Sequence, residues 1–438
     1  MGKSISRRTL MKLAGGTVAA AAGGYLLPRY ARNILKPVSA GVATAQDGPP
    51  DLYFGGTDGW IGLPDSPAIS FYHPDDLAPA PFTNYIFGFR NLTGLNDTQI
   101  QNQKMKAQHN APLFWIKEGE LFRLQLTNLG LAMRPDLIDA HTLHWHGFRN
   151  VIPFFDGEPS TSVSVPIGRN FTYAYVAHDP GTYMYHCHVE DVEHVQMGMT
   201  GLVFVRPAQD GNTALYPSGK YAYNDGDGST GFDREFAMFL SELWVESHWA
   251  DSHIQLPEWS DYKVDFAMLN GRVYPDTIAP NGSVDPFNPV RDADGDLIAP
   301  AGNPHLKYQP LSSLVTCNAG ERVLLRFANL GFMQSAMHLT GIDMHVVGKD
   351  ATLLRGLGTN GTDTSYMTNT VSLAAGESAD VIFTAPPYQG PGAYDTYLLY
   401  NRNYSRSDNL SPSGYGGQMT EVRVYPTGTL GAQPYPNG

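Results

Sequence analysis

In the stretch GTYMYHCHVEDVEHVQMGM (181–199), Cys187 lies between His186 and His188, and His194, Met197 and Met199 follow closely. The chain of 438 residues holds only two cysteines and 14 histidines, so this clustering of donors is specific. A second cluster, HTLHWHGF (141–148), carries His141, His144 and His146. Thiolate, imidazole and thioether together suit copper, because they compromise between the ligand preferences of its two oxidation states and so favour electron transfer. A Cys187–Cys317 disulfide is the competing use of the two thiols in an oxidising compartment. Cys317 sits in SLVTCNAGERV with no histidine near it in sequence, which predicts a buried, inert thiol instead.

Strand geometry sorts these donors. Side chains two apart on a strand share a face, and neighbours point to opposite faces. His144 and His146 therefore share a face, and His141, three positions back, lies on the other. His186 and His188 likewise share a face that Cys187 does not. If both segments belong to one sheet, Cys187 and His141 converge on one side, where His194 and a methionine complete a mononuclear blue-copper set. Four histidines (His144, His146, His186 and His188) then line the opposite side. Met197 and Met199 compete for the thioether position.

The elements that must position these residues form a diverged internal repeat. FWIKEGELFRLQLTNLG (114–130) matches VTCNAGERVLLRFANLG (315–331) without a gap. HTLHWHGF corresponds to SAMHLTGI (335–342), VSVPIGRNFTYAY (163–175) to VSLAAGESADVIF (371–383), and GTYMYHCH (181–188) to DTYLLYNRN (395–403). Each copy alternates apolar and polar residues over short runs between Gly, Pro and Asn turns, the pattern of an antiparallel β-sandwich. The expected fold is all-β, with a first domain over 46–207, a Gly/Asp/Asn-rich linker over 208–232 and a second domain over 233–438. The second copy keeps His338 but has Ser335, Thr340 and Tyr/Asn/Arg where the first has ligand types, so its own metal chemistry is largely lost.

The first 45 residues read as an export signal. Arg7 and Arg8 precede an apolar run rich in alanine and glycine that reaches Leu27, and ATAQ (43–46) offers a small-residue cleavage site after Ala45. Twin-arginine export to a periplasmic or extracellular compartment is expected, and no later segment is apolar enough to span a bilayer. Seven of the 29 basic residues and none of the 42 acidic ones fall within 1–45, which leaves a formal net charge of −20 on the remaining 393. That balance disfavours nucleic acid and anionic lipid and favours cationic partners.

At these motifs the chain resembles the multicopper oxidase and copper nitrite reductase superfamily of cupredoxins. HTLHWHG is similar to its first-strand motif, in which the first histidine binds type 1 copper and the next two bind the oxygen-reducing cluster, and HCHVEDVEHVQMGM to its last. The resemblance implies two cupredoxin-like Greek-key sandwiches, with type 1 copper held by His141, Cys187, His194 and Met199 in the first. Met199 is preferred over Met197 because five residues separate it from His194, with Gly198 before it, as cupredoxins share. It also implies ring-shaped homotrimers, whose second copper site lies between domain 1 of one subunit and domain 2 of the next. His144, His146, His186 and His188 would supply one side of that site and His338 the other, with His345 a further candidate.

The sequence departs from both templates. A three-copper cluster uses eight histidines, and the aligned positions here offer five, or six with His345. Nitrite-reducing relatives use one copper with three histidines, matched by His146, His186 and His338, but carry an aspartate where this chain has His144. The expected function is copper-dependent electron transfer from a small-molecule, metal-ion or redox-protein donor, arriving at an exposed edge of His194. Dioxygen is the expected acceptor and nitrite the alternative; a non-catalytic blue-copper carrier or copper-binding protein is the rival from another class. Glu190, Asp191 and Glu193 beside His194 would attract cationic donors, or form an ordinary solvated acidic loop. His248 and His253 are read as solvated loop residues.

Overall fold

LFRLQLTNLG (Leu121–Gly130) alternates between buried and less buried side chains along most of its length, the two-residue period of a strand with one face on a core. MTEVRVY (Met419–Tyr425) does the same near the carboxyl end. Strands of this kind dominate the computed structural model, which describes residues 48–67, 69, 71–356 and 361–438. The export signal expected over 1–45 lies outside the described residues. Among them, no helix is long and apolar enough to cross a membrane.

Eight strands fall within the expected first domain: β1 (Leu52–Ile61), β2 (Asn84–Asn91), β3 (Phe114–Lys117), β4 (Leu121–Gly130), β5 (His144–His146), β6 (Asn170–Val176), β7 (Gly181–His186) and β8 (Thr200–Arg206). They form two four-stranded sheets, β2-β1-β4-β6 and β3-β8-β7-β5. The inner faces meet in an aromatic core: Phe54 packs on Phe114 at 5.7 Å, Phe114 on Tyr185 at 5.2 Å, and Trp145 on Tyr173 at 5.9 Å between ring centroids.

Twelve strands follow: β9 (Arg234–Leu243), β10 (Phe266–Leu269), β11 (Val315–Asn318), β12 (Arg322–Asn329), β13 (Ser335–Leu339) and β14 (Met344–Lys349), then β15 (Thr352–Leu353), β16 (Tyr366–Thr368), β17 (Thr370–Leu373), β18 (Ser378–Thr384), β19 (Asp395–Asn401) and β20 (Met419–Tyr425). One sheet runs β10-β9-β12-β18-β14-β15, with β16 also on β14; the other runs β11-β20-β19-β13-β17. The sequence repeat reappears as a repeated pairing scheme. The strand pairs β3·β8 and β1·β4 in the first half match β11·β20 and β9·β12 in the second, and all four are parallel. This corrects the expectation of purely antiparallel sheets: the crossover that closes each sandwich lays early and late strands side by side in the same direction.

The outer face of β7 and β8 packs against that of β9 and β12. Met184, Leu202 and Phe204 there meet Ala237, Phe239 and Ala328 in a buried cluster. REFAMFLSEL (β9) is consequently buried on both faces, with the apolar run FAMFL at its centre. The stretch 208–232, expected as a linker, is folded rather than tethering: Tyr221, Ala222, Tyr223 and Phe232 are buried, most of them against Leu324, Val347 and Ile382. Its polar residues make turns instead of a flexible chain; the Asp225 carboxylate accepts from the N–H groups of Asp227, Gly228 and Thr230. Pro49–Gly438 form one compact unit.

Candidate metal centres

The register of β5 on β7 places His144 opposite His186 and His146 opposite Met184. Trp145 and Tyr185 turn into the aromatic core, so the histidines beside them turn outward, and Cys187, one residue past β7, turns back in. Cys187 is fully buried, as are His141, His194 and Met199. The alternation read from the sequence is present in space.

On the inner side, His141 is held by a two-way backbone bridge with Val165. Cys187 N–H donates to the Met199 carbonyl at 3.0 Å. His194 stands on helix α1 (Asp191–Met197), which Gly198 closes at a φ of 118° before the chain turns to Met199. Cys187 Sγ lies 3.2 Å from His194 Nδ1 and 4.0 Å from His141 Nδ1. Metal bonds of about 2.0 Å to nitrogen and 2.3 Å to sulfur, at a tetrahedral angle, would separate the two atoms by about 3.5 Å. The observed distances bracket that value, and the donor set fits a copper ion. A side-chain carbon placed on Gly56 of β1 would lie 2.6 Å from His141 Cδ2 and 3.4 Å from Met199 Cε, so imidazole and thioether stand side by side against that backbone. Met199 is the methionine that this backbone faces.

Burial pushes the Cys187 thiol up, but the imidazoles of His194 and His141 outweigh it and hold it well below the usual thiol value. The same pair acts in reverse on His194. Burial lowers it, yet the Cys187 thiolate and Asp139 raise it to about 10. Cys317 has no such neighbours; burial, then Glu321, push it up to about 12. Both cysteines are free and buried, so the thiols are not paired with each other.

On the outer side, the His144 ring lies 5.1 Å from that of His186 and 4.9 Å from that of His188, and the His146 ring 5.6 Å from that of His186. One nitrogen each of His144, His146 and His186 lies within 4.8 Å of the others. His144 Nδ1 sits 3.0 Å from the Asp156 carbonyl and His186 Nδ1 2.8 Å from the Cys187 carbonyl. His146 Nε2 lies against Gly376, in the β17–β18 turn, where a side-chain carbon would come within 3.1 Å of it. Burial lowers all three, His186 to about 3, which keeps them neutral as metal ligands must be. His188 N–H donates to Thr142 Oγ1 at 3.0 Å.

The other expected ligands lie elsewhere. His338 Nδ1 is 3.0 Å from Thr370 Oγ1, and its ring faces Tyr400 at 5.4 Å. The chain does not bring it to the outer cluster. His345 bonds to Ser365 Oγ at 2.8 Å and does not share the place of His338. Met337 and Leu339 point into the second sandwich from one sheet and Met344 and Val346 from the other, so the intervening histidines face out on opposite sides. His345 is thereby removed from the ligand set.

The expected exposed edge of His194 is also overturned. Its ring is fully buried, and Nε2 faces the Asp139 carboxylate at 3.4 Å. Nor is His248 solvated: on helix α2 (Val245–Ser252) it is fully buried between the Tyr85 carbonyl at 2.5 Å and the Gln196 carbonyl at 3.2 Å. Gly56, Asp139, Asp156 and Gly376 escaped the sequence reading. No spacing marks them, because each reaches its histidine only through the folded chain.

Residues 87–209 match the family profile described as multicopper oxidase. A putative laccase from Oryza sativa is 26% identical over 298 residues, covering 66% of this chain and 41% of the relative. A copper-containing nitrite reductase from Neisseria meningitidis is 30% identical over 95 residues, 22% of each chain. The chain thus spans less than half the length of these curated relatives. A solved blue copper oxidase from Nitrosomonas europaea shares the fold, with a TM-score of 0.55 and 20% identity over 85% of both chains.

Proposed function

We propose that this chain, which matches the multicopper oxidase profile over residues 87–209 and shares the fold of a solved blue copper oxidase, is a copper-dependent oxidoreductase that passes electrons to dioxygen. His141, Cys187, His194 and Met199 would hold type 1 copper, and His144, His146, His186 and His188 would form one side of a second copper site. Copper, when bound, supplies one-electron exchange at both places. The observation that carries the reading is the link between them: His186 and Cys187 are covalent neighbours, and His186 Nδ1–H also donates to the Cys187 carbonyl at 2.8 Å. One residue step and one hydrogen bond join the inward sulfur to the outward imidazoles.

The chain's own groups support this use. Asp139 fixes the outer nitrogen of His194 and is the polar group through which a donor meets that ring. Exposed Glu190 and Asp191 make this side of the molecule attractive to cationic donors. Trp145 and Tyr185 exclude water from between the two donor sets. A pure electron carrier would have no use for four outward histidines. Nitrite as acceptor is favoured by one observation, the convergence of only three imidazoles.

Assembly and location belong to the same reading. An outward His338 remote from its own chain's cluster supports a homotrimer in which the partner subunit's His338 completes the second site. Arg7, Arg8 and the following apolar run support twin-arginine export. The test of function is anaerobic reduction of the copper-loaded protein followed by mixing with dioxygen or nitrite. Rapid reoxidation by dioxygen is expected; reoxidation by nitrite alone would select the second reading, and by neither would leave a carrier.

A further inference from the structure

His248 has no place in the copper chemistry described so far, yet it is fully buried beside the segment that delivers two of the inner ligands. Helix α1 carries His194 and ends at Met197, and the chain then turns at Gly198 to present Met199. A helix leaves the carbonyls of its last turn without partners of its own. The Gly198 N–H takes up that of Val195 at 3.2 Å, and the Met199 N–H that of His194 at 2.8 Å. The next carbonyl, that of Gln196, is met by the second half of the chain: His248 Nε2 stands 3.2 Å from it. The opposite nitrogen, Nδ1, lies 2.5 Å from the Tyr85 carbonyl of β2. The imidazole therefore spans from β2 to the end of α1 and fixes their separation, whichever nitrogen carries the proton.

The packing around that turn makes the separation matter. Gly198 is closed in by β2 and by His109: a side-chain carbon on it would lie 2.8 Å from the Phe87 carbonyl and 2.6 Å from His109 Nδ1. The Phe87 ring meets that of His194 edge-on at 5.8 Å. In so close a packing, a shift of α1 relative to β2 carries His194 and Met199 with it. Helix α2 also reaches the far nitrogen of His194 indirectly. Its Asp251 pairs with Arg134, in the segment that leads to Asp139, whose carboxylate faces His194 Nε2 at 3.4 Å.

We propose that His248 is a positioning residue of the inner copper site: from the second half of the chain it holds the end of α1, and so sets where His194 and Met199 stand about the metal. The inference rests on the functional reading above. The reduction potential of a site with this donor set is tuned by its axial ligand. The second half thus governs the driving force at a copper whose ligands all come from the first.

Mediated redox titration and electron paramagnetic resonance of the copper-loaded full chain test this, with His248→Gln, His248→Asn and His248→Leu beside the wild type. The glutamine amide reaches nearly as far as the imidazole and keeps a polar group at the Gln196 carbonyl. Asparagine is too short to do so, and leucine leaves that carbonyl against apolar carbon. All the variants are expected to hold the blue copper, since none of its ligands is touched. In His248→Leu and His248→Asn the balance of oxidised and reduced copper against one mediator should shift about tenfold, which is ~59 mV for a single electron. The copper hyperfine splitting should change with it, and His248→Gln should return most of the wild-type values. A potential and spectrum in His248→Leu that match the wild type would overturn the proposal. Should that variant not fold, equal values in His248→Gln and His248→Asn would do so. A wild type with no blue-copper signal would instead defeat the copper reading on which the proposal rests.

Discussion

Cys187 and Cys317 carry the same side chain and differ only in what surrounds it. Two imidazoles within 4.0 Å make the first a thiolate, and burial beside Glu321 keeps the second a thiol, its pKa raised to about 12. Nucleophilic attack proceeds through the thiolate. In metal-free protein at pH 8, iodoacetamide should therefore modify Cys187 first and leave Cys317 untouched, as read by peptide mass mapping. Preferential labelling of Cys317, or a mass showing the two joined, would refute this account of the pair. The preference for Met199 over Met197, taken from resemblance, agrees with the position of the Met199 methyl group beside His141 above Gly56.

At the scale of elements, what could be read ahead of the structure was what repeats along one strand. Alternation in HTLHWHG and HCH put Cys187 and His141 on one face and the histidine pairs on the other, because β5 and β7 are neighbours in one sheet. The gapless match of 114–130 to 315–331 foretold that β3–β4 and β11–β12 occupy equivalent places. What resisted reading depends on which elements come together. His338 and His345 are seven residues apart, yet the chain crosses from one sheet to the other between them. Gly56 lies 85 positions before His141, and no periodicity links the two. Its role gives an element-scale prediction: Gly56→Ala would force a carbon to within 2.6 Å of His141 Cδ2, so β1 or the imidazole must move. The inner site should lose about tenfold or more in copper affinity, comparable to other losses of ligand support, while the outer site keeps its copper. A chelator competition series that found no change would show that His141 does not need this backbone.

Across the whole molecule, a strap from the second half reaches back to the first. Asp296 pairs with Arg90 of β2 at 2.7 Å, with Lys307 at 2.8 Å and with Lys106 at 3.3 Å, and Asn91 Nδ2 donates to the Pro286 carbonyl at 2.8 Å. Burial would raise the Asp296 carboxyl, but Arg90 and the lysines outweigh it and hold it down to about 2. Its pKa is thus lower in the folded than in the unfolded chain. The stabilisation is fully present above the unfolded value near 3.8 and is lost as pH falls through about 2. At 1.36 kcal/mol per pKa unit it amounts to about 2 kcal/mol at neutral pH. Asp296→Asn should lower the urea midpoint at pH 7, and the gap from wild type should narrow below pH 4. A gap that did not depend on pH would mean that the carboxylate charge contributes nothing to the strap.

The central claim is that one β-ribbon aims its sulfur to one side and its imidazoles to the other, so that two coppers sit back to back. Anomalous scattering at the copper edge from a crystal of the copper-loaded protein tests it most directly. Two peaks per chain are predicted, one among Cys187 Sγ and the Nδ1 atoms of His141 and His194, the other across the sheet among His144, His146 and His186. Absence of density at Cys187, or peaks confined to one face of the sheet, would contradict the account.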